Sequence, residues 1–348
     1  MDTQTPIQAV ALLSGGLDSS LAVRLVQEQG IEVEALHFVS VFNGTAPETP
    51  TVLRPLRVAR QLGVRFTPIR FTHEQLGLVC NPPHGYGSCM NPCIDCHMAM
   101  LRRAAERMRA TGARFIVTGE VVGQRPMSQR RFAIEQINKE TGLGDLILRP
   151  LSARLLPPTL PEREGWVDRE RLLDIRGRSR KVQLELARRH GLTEHGSPAG
   201  GCLLTDPGFS ARLRDLLGEK KTPGAFFPEP DLSDVHLLKL GRHFRLDAAT
   251  KAIVGRVHRE NATLYTFSQP TDRLLTTRDA PGPTTLLRGV ASEANLRTAA
   301  ALTARYSKLR GQPCVAIEIR PGRKGAAGDL TVIEVAPIAD AAAAPLRL

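Results

Sequence analysis

Two groups of residues in this 348-residue chain have the types and spacing to do chemistry. The first is Ser14-Gly15-Gly16-Leu17-Asp18-Ser19-Ser20, directly after the apolar run Ala9-Val10-Ala11-Leu12-Leu13. A buried strand that ends in two glycines and then opens a helix presents backbone N–H groups, small hydroxyls and the positive end of a helix dipole to an anion. The loop has neither the span and lysine of a Walker loop nor the G-x-G-x-x-G spacing of a dinucleotide fold. It reads as a cradle for pyrophosphate.

The second group is cysteine. Six are present, at positions 80, 89, 93, 96, 202 and 314, and Cys80, Cys89, Cys93 and Cys96 crowd into seventeen residues. In a protein without secretory features such crowding argues for metal binding or catalysis over disulfides. Cys93-Ile94-Asp95-Cys96-His97 is a C-x-x-C that runs into an expected helix at Met98, and a thiol at a helix N-terminus is expected to have a lowered pKa. Three readings are open: a four-thiolate zinc site with Cys80 and Cys89, a redox pair, or a trio completed by Cys202 in its Gly-rich turn.

These residues need a scaffold. Residues 19–29 read as a helix closed by Gly30, 31–41 as a strand, 52–62 as a helix, 64–70 as a strand, 98–109 as a helix and 115–118 as a strand. Such alternation predicts an α/β, doubly wound parallel sheet with ligands at the carboxyl ends of its strands, where Ser14 and Thr118-Gly119-Glu120 fall. Beyond Leu151 the chain becomes proline-rich and charged, with helices expected over 168–175 and 178–190. A proline cluster over 223–230 marks a boundary before a smaller α+β domain, and the Ala- and Pro-rich tail 336–348 reads as loose. The expected division is 1–165, a helical linker 166–228 carrying Cys202, and 229–348.

Lys and Arg number 47 against 35 Asp and Glu, a net charge of +12 dominated by arginine, which points to a nucleic-acid partner. Aromatic residues are 4% of the chain, so stacking on many bases is not expected to dominate. No apolar stretch reaches the roughly 18 residues of a membrane span and the start lacks signal-peptide features, so a cytoplasmic protein with no membrane partner is expected.

The loop resembles the SGGxDS motif of the PP-loop, N-type ATP pyrophosphatases, with an adenine nucleotide alpha hydrolase-like fold. That resemblance implies ATP on Ser14, Gly15, Gly16, Asp18, Ser19 and Ser20, with Asp18 beside Mg2+, and Thr118 and Gly119 near the nucleoside. Asn91-Pro92-Cys93-Ile94-Asp95-Cys96-His97 is similar to the N-P-D-x-x-C-N motif of the tRNA 2-thiouridylases, and Gly201-Cys202-Leu203-Leu204 to the segment of their second cysteine. Ser128-Gln129 follows as in thiolases. Family knowledge then implies that ATP adenylates a uridine carbonyl oxygen, sulfur attacks the same carbon, and AMP leaves, with Cys96, Cys202 and Asp18 catalytic.

Cys93 stands where the motif has aspartate. The trio Cys93, Cys96 and Cys202 resembles the set that holds a [4Fe-4S] cluster in several PP-loop thiolases, while a persulfide on Cys96 and Cys202 stays open. Asp95 is a candidate to handle protons in place of the missing aspartate, or to cap the helix. No rhodanese-like domain is recognisable, which implies a separate cysteine desulfurase or free sulfide as sulfur donor. Uridine 8 and uridine 34 are not distinguished. A lysidine-synthetase-like ligase and a non-catalytic RNA-binding adaptor remain as alternatives.

Residues 240–246 and 253–261 read as two strands with paired Gly-Arg elements and resemble the NFACT-R RNA-binding module. Arg242, Arg245, Arg256 and Arg259 are expected on one sheet face toward phosphates. Asp272-Arg273-Leu274-Leu275-Thr276 replaces that module's D-x-W-x-H stretch.

Overall fold

A computed structural model describes residues 8–43, 53–195, 202–218, 229–323 and 330–348. The chain divides into two compact units, Met1–Asp206 and Pro207–Leu348. Residues 166–206, expected in a separate linker, are part of the first unit, and Cys202 with them. The turn 197–201 before Cys202 and prolines 223 and 228 lie outside the described residues.

In the first unit the strands are β1 (Gln8–Leu12), β2 (Glu32–Val39), β3 (Arg65–Arg70), β4 (Phe115–Val117) and β5 (Ile147–Leu148). All neighbouring pairs are parallel, in the order β3-β2-β1-β4-β5. The helices are α1 (Leu17–Gln27), α2 (Leu53–Leu62), α3 (Thr72–Cys80), α4 (Cys93–Thr111), α5 (Arg131–Thr141), the single turn α6 (Leu160–Arg163) and α7 (Lys181–Arg189). Strand period two explains why the chain has two cores here. Ala9, Ala11 and Leu13 pack with Leu17, Leu21 and Val58 on one side of the sheet. Val10 and Leu12 pack with Leu101, Ala104 and Ile116 on the other. The sheet is therefore doubly wound, and its strand order reverses between β1 and β4.

The second unit contains α8 (Pro207–Leu217), α9 (Leu232–Leu237), β6 (Arg242–Arg245), β7 (Lys251–Val254), α10 (His258–Phe267), β8 (Arg273–Thr277), β9 (Thr285–Arg288), α11 (Glu293–Arg305), β10 (Val315–Pro321), β11 (Thr331–Val335) and the short α12 (Asp340–Ala343). Its strands form one antiparallel sheet in the order β11-β10-β8-β9-β7-β6. Alternate residues again serve two layers: Ala252, Leu275 and Leu287 pack with the residues of α11, and Ile253, Leu274 and Leu286 with Leu237 and Leu264. This is the smaller α+β unit.

Three expectations are corrected. Residues 168–175 form only a 3-10 turn at Arg169–Arg171, because the backbone there is used to pair with Pro150 and Leu151 through Leu173 N and Ile175 N. The strand expected through 261 ends at Val254 and gives way to α10. The tail is packed, with Ala343 buried, Phe244 bridged to Arg347, and Leu348 N donating to His243 O at 3.0 Å. Among the described residues no helix is long and apolar enough to cross a membrane.

Candidate nucleotide and cysteine site

The loop after β1 is built as its sequence dictates. Gly15 adopts φ +76, and a Cβ there would stand 3.0 Å from the Pro55 backbone nitrogen, so only glycine makes this turn without strain. Gly16 is the N-cap of α1. The Ser14 and Ser19 hydroxyls share a hydrogen bond of 3.1 Å, and Ser19 Oγ and Ser20 Oγ donate to Gly16 O at 3.0 and 2.8 Å. The hydroxyls and the open helix end are thus held around one short arc of backbone.

Asp18 lies in the first turn of α1, where the dipole favours its charge. Gln124 Nε2 donates to Asp18 Oδ2 at 2.7 Å, and Arg180 Nη2 pairs with the same oxygen at 3.0 Å. Gln183 Nε2 in turn donates to Gln124 Oε1 at 3.2 Å. Asp18 Oδ1 is buried and has no hydrogen-bond partner among the described residues. A desolvated carboxylate oxygen left open is costly unless a ligand meets it, and a hard cation is what its chemistry suits, so Mg2+ fits here. Arg180, 162 positions from Asp18, was not singled out from the sequence because no local pattern marks it.

The carboxyl end of β4 closes directly onto this loop. A Cβ on Gly119 would stand 2.5 Å from Ser19 N, so the two backbones touch at this point. Thr118 is buried and donates to Glu120 Oε2 at 3.0 Å, which engages its hydroxyl away from any ligand. Arg149 Nε donates to the same oxygen at 2.8 Å. His97 Nε2 stands 3.0 Å from Glu120 Oε1. Burial opposes the Glu120 charge, and Arg149 and His97 outweigh it, holding the carboxyl well below the usual range. Residues 118 to 120 therefore serve first to lock β4, β5 and α4 together.

The helix α4 starts five residues earlier than expected, at Cys93, so the C-x-x-C spans its first turn. Cys202 reaches the same place through Leu203 N to Phe42 O at 3.0 Å and Met90 N to Leu204 O at 3.1 Å. The three thiols feel one another's charge: Cys202 and Cys93 both act on Cys96, and Cys93 acts on Cys202. The expected lowering of the thiol pKa does not hold for Cys96. Burial drives the Cys96 thiol far up, against a hydrogen bond from Gln75, and pushes Cys202 up to about 11. Desolvation of the thiolates exceeds the pull of the helix end.

Cys93 is less buried and lies 3.4 Å from Ser128 Oγ. Among the described residues no three His, Cys, Asp or Glu side chains close around one ion, so the four-thiolate zinc reading has no preformed cage. None of the six cysteines is in a disulfide. By donor type the trio fits a soft metal group, and an iron–sulfur cluster takes thiolates set further apart than a single zinc does. Asp95 neither caps at Met98 nor stands open: it is buried in the first turn of α4, with Oδ1 2.6 Å from His84 Nδ1 and Oδ2 accepting from His84 N at 3.2 Å. Its carboxylate fixes the loop before the C-x-x-C.

In the second unit the expected row of free arginines is not formed. Arg242 and Arg245 are three apart on β6 and so point to opposite faces, and Arg256 and Arg259 lie beyond the sheet. Arg245 pairs with Asp215 at 2.6 Å, Arg242 covers the Tyr306 ring at 4.6 Å, and Arg256 pairs with Glu260. Asp272 is buried and clamps Arg288 at 2.7 Å, with Asp234 on the other side of the guanidinium.

A parallel sheet of this order, with an S-G-G-x-D-S loop at its switch point, gives the first unit the α/β PP-loop fold. Residues 4–154 match the family described as thiamine biosynthesis protein (ThiI), and residues 241–343 match the NFACT protein RNA binding domain. The first unit is thus similar to the ThiI family and the second to the NFACT RNA-binding domain, each match covering less than half of the chain.

Curated relatives include the probable tRNA sulfurtransferase of Geobacillus kaustophilus, 33% identical over 146 residues that cover 41% of this chain and 34% of the relative. Another is that of Methanosarcina mazei, 32% identical over 125 residues, covering 33% and 28%. The chain spans about a third of the length of these relatives. Similar solved structures include a 4-thiouridine synthetase–RNA complex with bound ATP (23% identity, 60% of this chain and 49% of that chain, TM-score 0.36). The U34-tRNA thiolase NcsA from Methanococcus maripaludis with its [4Fe-4S] cluster is also similar (16% identity, 62% and 66%, TM-score 0.33).

Proposed function

We propose that this protein is an ATP-dependent tRNA sulfurtransferase. The observation that carries the reading is the buried, unpartnered Asp18 Oδ1 at the β1/β4 switch point, in the same unit as three mutually close thiols. ATP lies with its pyrophosphate on the backbone N–H groups of residues 14 to 20. A uridine carbonyl oxygen attacks the α-phosphorus and pyrophosphate leaves, which converts a poor leaving group into AMP. A sulfur nucleophile then attacks the same carbon and AMP departs.

Asp18 Oδ1 would hold Mg2+, which neutralises charge on the departing pyrophosphate. Cys93, Cys96 and Cys202 would hold a [4Fe-4S] cluster, which supplies a soft site for sulfide. Burial excludes water from Cys96, and Asp95 with His84 keeps the first turn of α4 in place. Sulfur comes from a cysteine desulfurase or from free sulfide, and the second unit contributes affinity for tRNA. The relatives named as sulfurtransferases support the reading.

The test is anaerobic purification followed by iron and sulfide analysis and by thiouridine, AMP and pyrophosphate measurement with bulk tRNA and sulfide. About four irons per chain, lost together with thiouridine in Cys93→Ala, Cys96→Ala and Cys202→Ala, is the expected result. Thiolation that survives all three substitutions would sink the cysteine assignment, and no tRNA-dependent AMP would sink the enzyme.

A further inference from the structure

The loop between β4 and α5 forms one wall of the cysteine site and carries groups that the proposed reaction does not yet use. Ser128 meets Cys93, and the Arg125 guanidinium is near enough for its charge to act on Cys202. Met127 covers Gly87 in the loop before the C-x-x-C, with its side chain 3.0 Å from where a Gly87 Cβ would stand. Just beyond this wall, Phe132 in the first turn of α5 is 59% exposed. A single exposed apolar side chain is ordinary on a protein surface, so the weight here falls on the arginines that flank Phe132 in the sequence.

The charge around it is equally unspent. Arg125, Arg130 and Arg131 are all exposed, and among the described residues none of them pairs with a carboxylate. Some exposed arginines of this unit do pair, Arg57 with Glu194, Arg163 with Asp145 and Arg188 with Glu185, while others such as Arg54, Arg60 and Arg109 do not among the described residues. What marks Arg125, Arg130 and Arg131 is that they stand together beside Phe132 in the sequence. Arg131 reaches only a backbone oxygen, that of Leu155, at 2.7 Å. An exposed aromatic side chain and three guanidinium groups without a carboxylate partner among the described residues, all within residues 125–132, are together complementary to an unstacked base flanked by phosphates.

We propose that Phe132 with Arg125, Arg130 and Arg131 is the docking rim for the substrate RNA strand, with Phe132 stacking a base next to the target uridine and the arginines taking the flanking phosphates. This rests on the tRNA reading above and adds where on the first unit the strand lies. A base extruded from its stack needs a new stacking partner, and Phe132, four residues after the Ser128 that meets Cys93, offers one.

The chain has a single tryptophan, Trp166, so Phe132→Trp installs a reporter whose emission is read against the parent protein. Bulk tRNA is expected to quench the added emission saturably, with labelled-tRNA anisotropy giving the same midpoint. Phe132→Ala is expected to raise the KM for tRNA about tenfold, with Phe132→Trp restoring it and the KM for ATP unchanged. The triple change Arg125→Gln, Arg130→Gln and Arg131→Gln should lower the slope of log affinity on log salt by about 2 to 3.

If tRNA binds and is thiolated but leaves the added emission of the Phe132→Trp protein and the KM of the Phe132→Ala protein unmoved, the rim assignment falls and the function stands. Quenching and a lowered salt slope without thiouridine would leave the rim standing and remove the function. Failure of the parent protein to bind tRNA would overturn both.

Discussion

The two units treat their charges in opposite ways. In the second, buried acids and bases answer one another: Asp215 holds Arg245 and Lys251, and Asp272 and Asp234 share Arg288. In the first, polar valences near the switch point are left open, at Asp18 Oδ1, Gln129 Oε1 and Gln183 Oε1. Buried polar atoms are normally paired, because an unpaired one costs a large share of a domain's net stability. Paired acids and bases thus hold the scaffold of the second unit, where the open atoms among the described residues are His236 Nδ1, His243 Nδ1 and Arg305 Nε. In the first unit, by contrast, an open carboxylate oxygen stands at the switch point, suited to a ligand.

Removing a scaffold charge should break stability and leave nucleotide chemistry alone. Arg288→Ala strands the buried Asp272 carboxylate and is expected to destabilise the second unit by about 4 kcal/mol in denaturant titration. If the loss is well under that, the internal pairing is not what holds this sheet together. Asp18→Asn should do the reverse. Pyrophosphate release is expected to fall about a hundredfold with an unchanged unfolding midpoint, because the loss is of charge aimed at the departing group. An equal loss of stability and rate would erase the distinction between the units.

The smallest effect sharpens the comparison inside the first unit, where Glu120 is a charge paired with Arg149 beside the open site. Its folded pKa is depressed by Arg149 and His97, so its contribution is present above the ordinary value of 4.5 and is lost as pH falls below it. Glu120→Gln should flatten the acid limb of the stability profile while leaving the neutral region lower by a constant amount. An unchanged acid limb would mean that the ionised carboxylate is not what links β4 to α4.

Much of this was legible in the chain. The run 9–13 alternates between two cores, and S-G-G-x-D-S directly after it suits a turn that ends a strand and opens a helix, so β1, α1 and the cradle between them follow from periodicity and glycine. The packed tail was misread because alanine and proline carry little pattern of their own, and its order comes from pairing with β6 and α11. The arginines of 242–259 were misread because alternation was extended past Val254 into a helix.

Sequence by itself determined the types of groups available: an anion cradle, a C-x-x-C, a distant third cysteine and an arginine-rich surface. Only the tertiary structure decided which of them meet. Cys202 reaches the first turn of α4 from more than a hundred residues away through backbone pairs with Phe42 and Met90, and Arg180 reaches Asp18 over 162 positions. The thiol pKa was decided there as well, since helix position is written in the sequence and desolvation depends on what packs above it. Local spacing sets period and turn chemistry, whereas burial and long-range contact follow from how whole layers close.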